Sequence, residues 1–270
     1  MADLVTLDIQ DGVADVRFNR PDKYNSLSTE MFAAIAEAGE ALIPDKRVRA
    51  VVISGNGPGF CAGLDTSTFG DVAGGTQPPG VVGSPMDPQR GHDSNFFQHC
   101  AYVWRLVPVP VIAAVHGVAY GAGFQIAMGA DIRVAHPESR WSIMEIKWGL
   151  IPDVAITQTL RDTLREDVAK DLIFTGRVIG AEEARDLGVV TRIAGDPLAD
   201  ALESAREIAS KNPHAIRNGK RLIHEAWHAP RDQGLALEAS LQKELLGSPN
   251  QAEAVKATLQ KRTPDFRDPE

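Results

Sequence analysis

The sequence predicts an α/β protein in which a mostly parallel sheet is followed by a helical C-terminal layer. Three observations carry that prediction. Continuous apolar runs of strand length, AVVISG (50–55), PVIAAVHG (110–117) and DIRVA (131–135), are separated by helical stretches. The first fifty residues read as strand, turn, strand, helix. After about Ala181 the pattern becomes almost wholly helical.

Taken in order, 4–9 and 13–18 flank Asp11-Gly12, a dipeptide suited to a hairpin turn. Ser28 is placed to cap a helix whose apolar face is Met31, Ile35, Ala38 and Leu42. Residues 70–95, GDVAGGTQPPGVVGSPMDPQRGHDSN, hold too much Gly and Pro for regular structure and predict a long loop inside the domain. Helices are expected over 181–187, 197–210, 213–228, 232–246 and 250–260. We therefore divide the chain into a core (1–195) and a helical layer (196–270) that covers the sheet or builds an oligomer interface.

Composition excludes several classes of function. A net charge of −8 argues against nucleic acid or an anionic membrane as the main partner. The two cysteines, Cys61 and Cys100, are too few for a disulfide framework and fit a reduced cytoplasm. MADLVTLDIQDG is acidic and lacks the apolar stretch of a secretory signal. The most apolar segment, 107–124, is broken by Pro108, Pro110, His116 and three glycines, so no membrane span is expected.

Two motifs suggest chemistry that their surroundings do not support. His224-Glu225-Ala226-Trp227-His228 matches the H-E-x-x-H pattern of zinc hydrolases, with Glu244 a conceivable third ligand. Pro230 follows almost at once, however, and the flanks read as an amphipathic surface helix, so a histidine pair on that helix is the preferred reading. Gly57-Pro58-Gly59-Phe60-Cys61-Ala62 fits G-x-G-x-x-A after a strand, but neither the following helix nor the later acid of a dinucleotide site is present.

What remains is a pair of similar turns. GNGPGFCAGLD (55–65) follows one buried strand and HGVAYGAGFQ (116–125) follows another. Small residues there leave backbone N–H groups open, and Gly121-Ala122-Gly123 lies where a helix begins. Two such amide sources, if they converge, would stabilise an enolate or tetrahedral oxygen; close backbone packing alone is the alternative.

With NRPDKYNSLS (19–28), PVIAAVHGVAYGAGFQIAMGADIRVA (110–135) and FTGRVIGAEEARDLGVVTRI (174–193), these blocks resemble the enoyl-CoA hydratase/isomerase family, the crotonases, over nearly the whole chain. The resemblance implies a spiral of ββα units, a C-terminal trimerisation layer giving a homotrimer or a dimer of trimers, and a coenzyme A thioester as substrate. It implies no separate cofactor and no metal. It assigns the thioester oxygen to the N–H groups of Leu64 and Ala122, and the wider substrate surface to Lys23, Ala62, Leu64, Asp65, Thr66, Gly121 and Ala122. An exposed lysine is the alternative for Lys23.

The acids separate the chemistries within that family. Hydratases of the family carry one glutamate where this chain has Gln125 and another where it has Glu145. A neutral amide cannot take a proton from water, so efficient hydration is not expected. Dienoyl-CoA isomerases of the family carry an acid matching Asp153, although they have an aspartate at the position of Gln125. The expectation is therefore a double-bond isomerase before a hydratase. Glu145 is its principal acid/base, Asp153 its partner, and Gln125 orients substrate or a water. A helix N-cap is the competing role for Asp153.

Overall fold

The computed structural model describes residues 3–68, 77–89 and 91–270. Strands β1 (Val5–Gln10) and β2 (Val13–Phe18) form the expected antiparallel hairpin, turned by Asp11 and Gly12 at φ 52° and 79°. Ser28 accepts a hydrogen bond from Met31 N–H at 3.3 Å and starts helix α1 (Thr29–Leu42). The chain then returns as β3 (Ala50–Gly55), parallel to β2. After helix α2 (Phe96–Leu106) come β4 (Val111–Val115) and β5 (Val118–Tyr120), the latter running into helix α3 (Ala122–Gly129).

Strands β6 (Ile132–Ala135), β7 (Arg140–Ser142), β8 (Ile179–Gly180) and β9 (Arg192–Ile193) complete two sheets. The larger has the order β1-β2-β3-β4-β6-β9 and is parallel beyond the hairpin; the smaller is β5-β7-β8. Only two residues separate β4 from β5, so the chain steps directly from one sheet to the other. Of the predicted 70–95 loop, residues 70–76 and 90 lie outside the described ones.

Alternate side chains of the large sheet enter two cores, as the twofold repeat of a strand requires. Val51, Ile53, Val111, Ala113 and Val115 meet α1, α2 and α3 through Ile35, Val103, Trp104 and Phe124. Val52, Ile112, Ala114 and Val134 face the other way, onto Ala201, Ala205 and Ala209 of helix α7 (Pro197–Ala209). This alanine stripe at every fourth residue lays α7 close against the sheet. The expected boundary at 195/196 thus falls between the sheet and the helix that covers its second face.

Helices α4 (Ile156–Thr159), α5 (Glu166–Thr175) and α6 (Ala181–Asp186) precede α7. The last three, α8 (Pro213–Ala226), α9 (Arg231–Leu245) and α10 (Pro249–Gln260), start and stop within two residues of expectation. Among the described residues no helix is long and apolar enough to cross a membrane.

One buried cation fastens α8 to the core. Lys220, its side chain 6% exposed, donates to the carbonyls of Trp104 (3.1 Å) and Val109 (3.0 Å) and pairs with Asp131 at 2.7 Å. A primary ammonium has three protons, and each finds an oxygen. Lys220 and Asp131 line a cleft of about 560 Å³ between α8 and the distal end of α3. Lys220→Met leaves Asp131 ionised without its main counter-charge. We expect a loss of about 3 kcal/mol, or roughly 10 °C in Tm. An unchanged thermal melt would contradict this role.

Candidate active site

The site forms where the N-terminus of α3 meets the turn after β3. Their approach requires glycine. A Cβ on Gly123 would lie 2.4 Å from the Cys61 carbonyl oxygen, well inside van der Waals contact. Gly121 has φ 52° and ψ −121°, a conformation open essentially to glycine, and a Cβ there would stand 3.1 Å from Glu145 Oε1. The run of small residues therefore lets a helix end, a turn and an acid occupy the same few ångströms.

The turn is held from below by the 19–28 block. Leu27 N–H donates to Gly63 O at 2.8 Å and Asp65 N–H to Leu27 O at 3.0 Å, so Leu64 N–H points away from that bridge. Among the described residues neither the Leu64 nor the Ala122 N–H meets a hydrogen-bond acceptor. The two turns are in contact: a Cβ on Gly63 would be 2.7 Å from Tyr120 O and 3.7 Å from Ala122 N. Two open amides on adjoining turns suit an oxygen that gains negative charge.

Gln125 is fully buried on α3, and both ends of its amide are engaged. Nε2 donates to Glu145 Oε1 at 2.6 Å, and Oε1 accepts from Val154 N–H at 2.8 Å. The sequence suggested a group facing substrate or water; the geometry is instead a strut between two loops. It ties down Glu145 on one side and the 153–154 peptide on the other.

Glu145 opens a short 3-10 helix, Glu145–Trp148, directly after β7. Gly121 N–H donates to Ser142 O at 2.9 Å and so fixes this strand against the start of α3. Burial pushes the Glu145 carboxyl up to about 7, with the charge of Asp153 adding to the shift and its own N–H and Gln125 opposing it. Its second oxygen, Oε2, is buried and hydrogen-bonds to no described residue. A carboxyl of this kind exchanges a proton readily at neutral pH.

Asp153 is partly buried, and burial raises its carboxyl above the usual range. It does not cap a helix: α4 begins at Ile156 with Ala155 in the capping position. Its neighbour Val154 is held by Gln125, so both acids are placed by one amide.

The remaining predicted residues surround the turn. Ala62 N–H donates to Tyr24 O at 2.9 Å, which sets exposed Lys23 on the chain segment next to the turn. Thr66 is exposed. Asp65 is buried and already engaged, by Arg20 Nη2 at 3.0 Å and Ser67 Oγ at 2.7 Å, which hold its carboxyl below the ordinary value. It braces the turn rather than offering a free carboxylate.

Sequence reasoning missed Asn25. This buried residue, at φ 55°, donates to Asn56 O (3.0 Å) and Gly59 O (2.8 Å) and accepts from Arg20 N–H (2.8 Å). It holds the shape of the turn that carries Leu64. Its signal was a lone amide between helix-breaking Pro21 and the apolar Leu27.

The H-E-x-x-H residues do not gather. Helix α8 ends at Ala226, before His228. His224 faces Asp131 at 3.3 Å, His228 pairs with Asp162, Glu225 pairs with Arg221, and Glu244 accepts from Asn218.

Two sheets, paired glycine turns with open amides and a buried acid give the frame of an α/β enzyme site. The chain belongs to the enoyl-CoA hydratase/isomerase family, whose model matches residues 8–269. It is 31% identical to the 1,2-epoxyphenylacetyl-CoA isomerase of Escherichia coli over 268 residues, 98% of this chain and 99% of that protein. It is 30% identical to human mitochondrial methylglutaconyl-CoA hydratase over 263 residues, 95% of this chain and 74% of the relative. Among solved structures, the enoyl-CoA hydratase of Polaromonas sp. JS666 superposes with a TM-score of 0.84 at 31% identity, covering 97% of this chain and 99% of that one.

The Glu145 environment makes a prediction independent of turnover. Between pH 4.5 and about 7 the folded chain holds a proton here that the unfolded chain releases, so stability falls as pH rises through that window. A glutamine cannot ionise and escapes the loss. Glu145→Gln should therefore be more stable than wild type at pH 8, by about 1–3 kcal/mol, and nearly equal at pH 5. Calorimetry at the two pH values checks this; a variant no more stable at pH 8 than at pH 5, relative to wild type, would refute the buried-acid assignment.

Proposed function

We propose that this family member moves a double bond in an enoyl-CoA thioester, with Glu145 as the proton carrier. The observation that carries the reading is the engaged Gln125 amide. Hydration needs one group to deprotonate water and another to orient it, and in relatives of the hydratase type this work falls to paired acids. Here the Gln125 amide is neutral, fully buried and engaged at both its nitrogen and its oxygen, so it cannot serve as the second acid. Glu145 keeps one oxygen without a hydrogen-bond partner among the described residues and a pKa of about 7, suited to taking a proton from carbon and giving it back.

In this mechanism the thioester oxygen lies between the N–H groups of Leu64 and Ala122. Glu145 carboxylate takes a proton from C2 of a 3-enoyl-CoA. The electrons of the C–H bond move into the thioester, and the two amides hold the resulting dienolate oxygen. Return of a proton to C4 gives the conjugated 2-enoyl-CoA. Asp153, the second raised acid, is the partner at the distal carbon, and Gln125 fixes both acids without touching substrate. Lys23 lies at the edge where a coenzyme A phosphate would pass. The chemistry calls for no cofactor beyond coenzyme A carried by the substrate.

Water addition is the second reading. It is favoured by the hydratase names among the relatives, methylglutaconyl-CoA hydratase among them. Assembly as a closed trimer or a pair of trimers belongs to the same proposal. Its support is apolar surface left open on the last helices (Ile223, Trp227, Leu235, Leu259) and after Glu145 (Trp148, Ile151). A cytoplasmic setting fits the two buried, unpaired cysteines.

The test is a panel of 2-enoyl-, 3-enoyl- and dienoyl-CoA thioesters assayed for bond migration and for water addition. Bond migration should dominate. Glu145→Gln should lower its turnover by about 10²–10⁴-fold with little change in thioester binding. Asp153→Asn should lower turnover less. Dominant water addition would favour the second reading, and turnover within a few-fold of wild type in Glu145→Gln would remove Glu145 from the mechanism.

A further inference from the structure

The Gly/Pro-rich segment ends in a cluster that the acyl-thioester chemistry does not use. Glu40 on α1, His99 on the first turn of α2 and His92 on the connection before α2 bring one carboxylate and two imidazoles together. His99 Nε2 lies 3.0 Å from Glu40 Oε1, and His92 Nε2 lies 3.8 Å from the same oxygen. All three donor atoms fall within 4.8 Å of one another, the only such group of three or more among the described residues.

A structural ion pair between α1 and α2 needs one histidine. The second is what calls for explanation, because its Nε2 lies 3.8 Å from the same oxygen, too far for a hydrogen bond. Two ligands bound tetrahedrally at about 2.0–2.1 Å from a zinc ion stand roughly 3.3 Å apart. The observed separations of 3.0 and 3.8 Å bracket that value.

The surroundings have the form of a ligand shell. Ser94 Oγ is 2.8 Å from His99 Nδ1, and both residues are buried at 6% exposure, so the ring is held by the nitrogen it would not use for a metal. The start of α2 is fixed by a reciprocal pair of hydrogen bonds between Asn95 and Gln98. The turn carrying His92 is closed by His92 N–H on Gln89 O (2.9 Å) and Gln89 N–H on Ser94 O (3.1 Å). The rings of His92 and His99 stack at 4.4 Å between centroids and 25° from parallel, so ion binding requires the His92 ring to turn until both in-plane lone pairs converge. The side chains of Glu40 and His92 are 27% and 31% exposed, which leaves a way in from solvent.

We propose that Glu40, His92 and His99 bind a divalent first-row transition cation, zinc by ligand type, that staples the end of the 77–95 connection to α1. Two imidazoles and one carboxylate supply three positions, and water takes the fourth. The site is structural: it lies between α1 and the start of α2 and includes none of the residues assigned to proton transfer. Its effect is to fix the chain that leads from the Gly/Pro-rich segment into α2.

The test uses full-length protein without a polyhistidine tag, stripped with chelator and titrated with cobalt(II) and then zinc(II). Wild type should take one cobalt per chain with the visible absorption of a four-coordinate ion, and zinc should displace it. At an excess of about 100-fold over its dissociation constant, zinc should raise Tm by roughly 5 °C. His92→Ala, altered on a half-exposed turn, should fold as the metal-free wild type does and lose both signals. Glu40→Gln, which keeps an acceptor for His99, should weaken them at least about 10-fold. A His224→Ala/His228→Ala double variant should retain them. No cobalt spectrum in wild type, or equal binding in His92→Ala, would overturn the site. So would signals that disappear with His224 and His228 instead.

Discussion

The site depends on one buried amide with a donor at one end and an acceptor at the other. Gln125 gives its N–H to Glu145 and takes the N–H of Val154, and it does so from inside a helix with no exposed surface. Few other side chains can fill that place. A carboxylate would accept from Val154 but meet Glu145 with like charge, and an apolar residue would leave both partners unpaired in a dry environment. Burial drives the Glu145 proton on, and the Gln125 hydrogen bond limits how far. The outcome is an acid poised near neutrality, with one oxygen held and one open.

That amide works only because the backbone around it is pared down. α3 can start against the Cys61–Leu64 turn because Gly123 leaves room for a carbonyl, and Glu145 can lie over the helix start because Gly121 has no side chain. The same economy of side chains leaves the Leu64 and Ala122 N–H groups open. The two sheets set this up at longer range. β3 delivers one turn, the step from β4 to β5 delivers the other, and β7 brings Glu145 to their junction. The sheet's second face is covered by α7 through Ala201, Ala205 and Ala209 with Leu198, Leu202 and Ile208 beside them, whereas the site's residues gather on the first face.

Much of this was legible in the sequence, for identifiable reasons. The buried strands announce themselves as apolar runs, Asp11-Gly12 as a hairpin, and Ser28 as a cap, because each is a local rule. The paired glycine turns were visible as repeated texture, and the two acids through family resemblance. What could not be read was partnership. Gln125 was identifiable as a lone amide among apolar residues, but its engagement with Val154, 29 residues away, depends on tertiary contact. The same holds for Asn25, for Asp65 turned toward Arg20, and for Asp153, whose competing role as a helix cap fell only when α4 was seen to begin at Ile156. The Glu40–His92–His99 cluster brings together residues from two distant stretches of the chain, and no spacing rule reaches that far.

The central claim is that burial lifts the Glu145 carboxyl to near neutrality while the neutral Gln125 amide holds it in place. The most direct measurement is the pH dependence of kcat/KM for bond migration, which reports ionisations of the free enzyme. Wild type should show an inflection near the Glu145 value of about 7. Gln125→Glu replaces the donor with a second carboxyl beside Glu145, and the pair should titrate in two steps, the upper displaced by about one pH unit or more above the wild-type inflection. A profile that keeps a single inflection at the wild-type position would contradict the account.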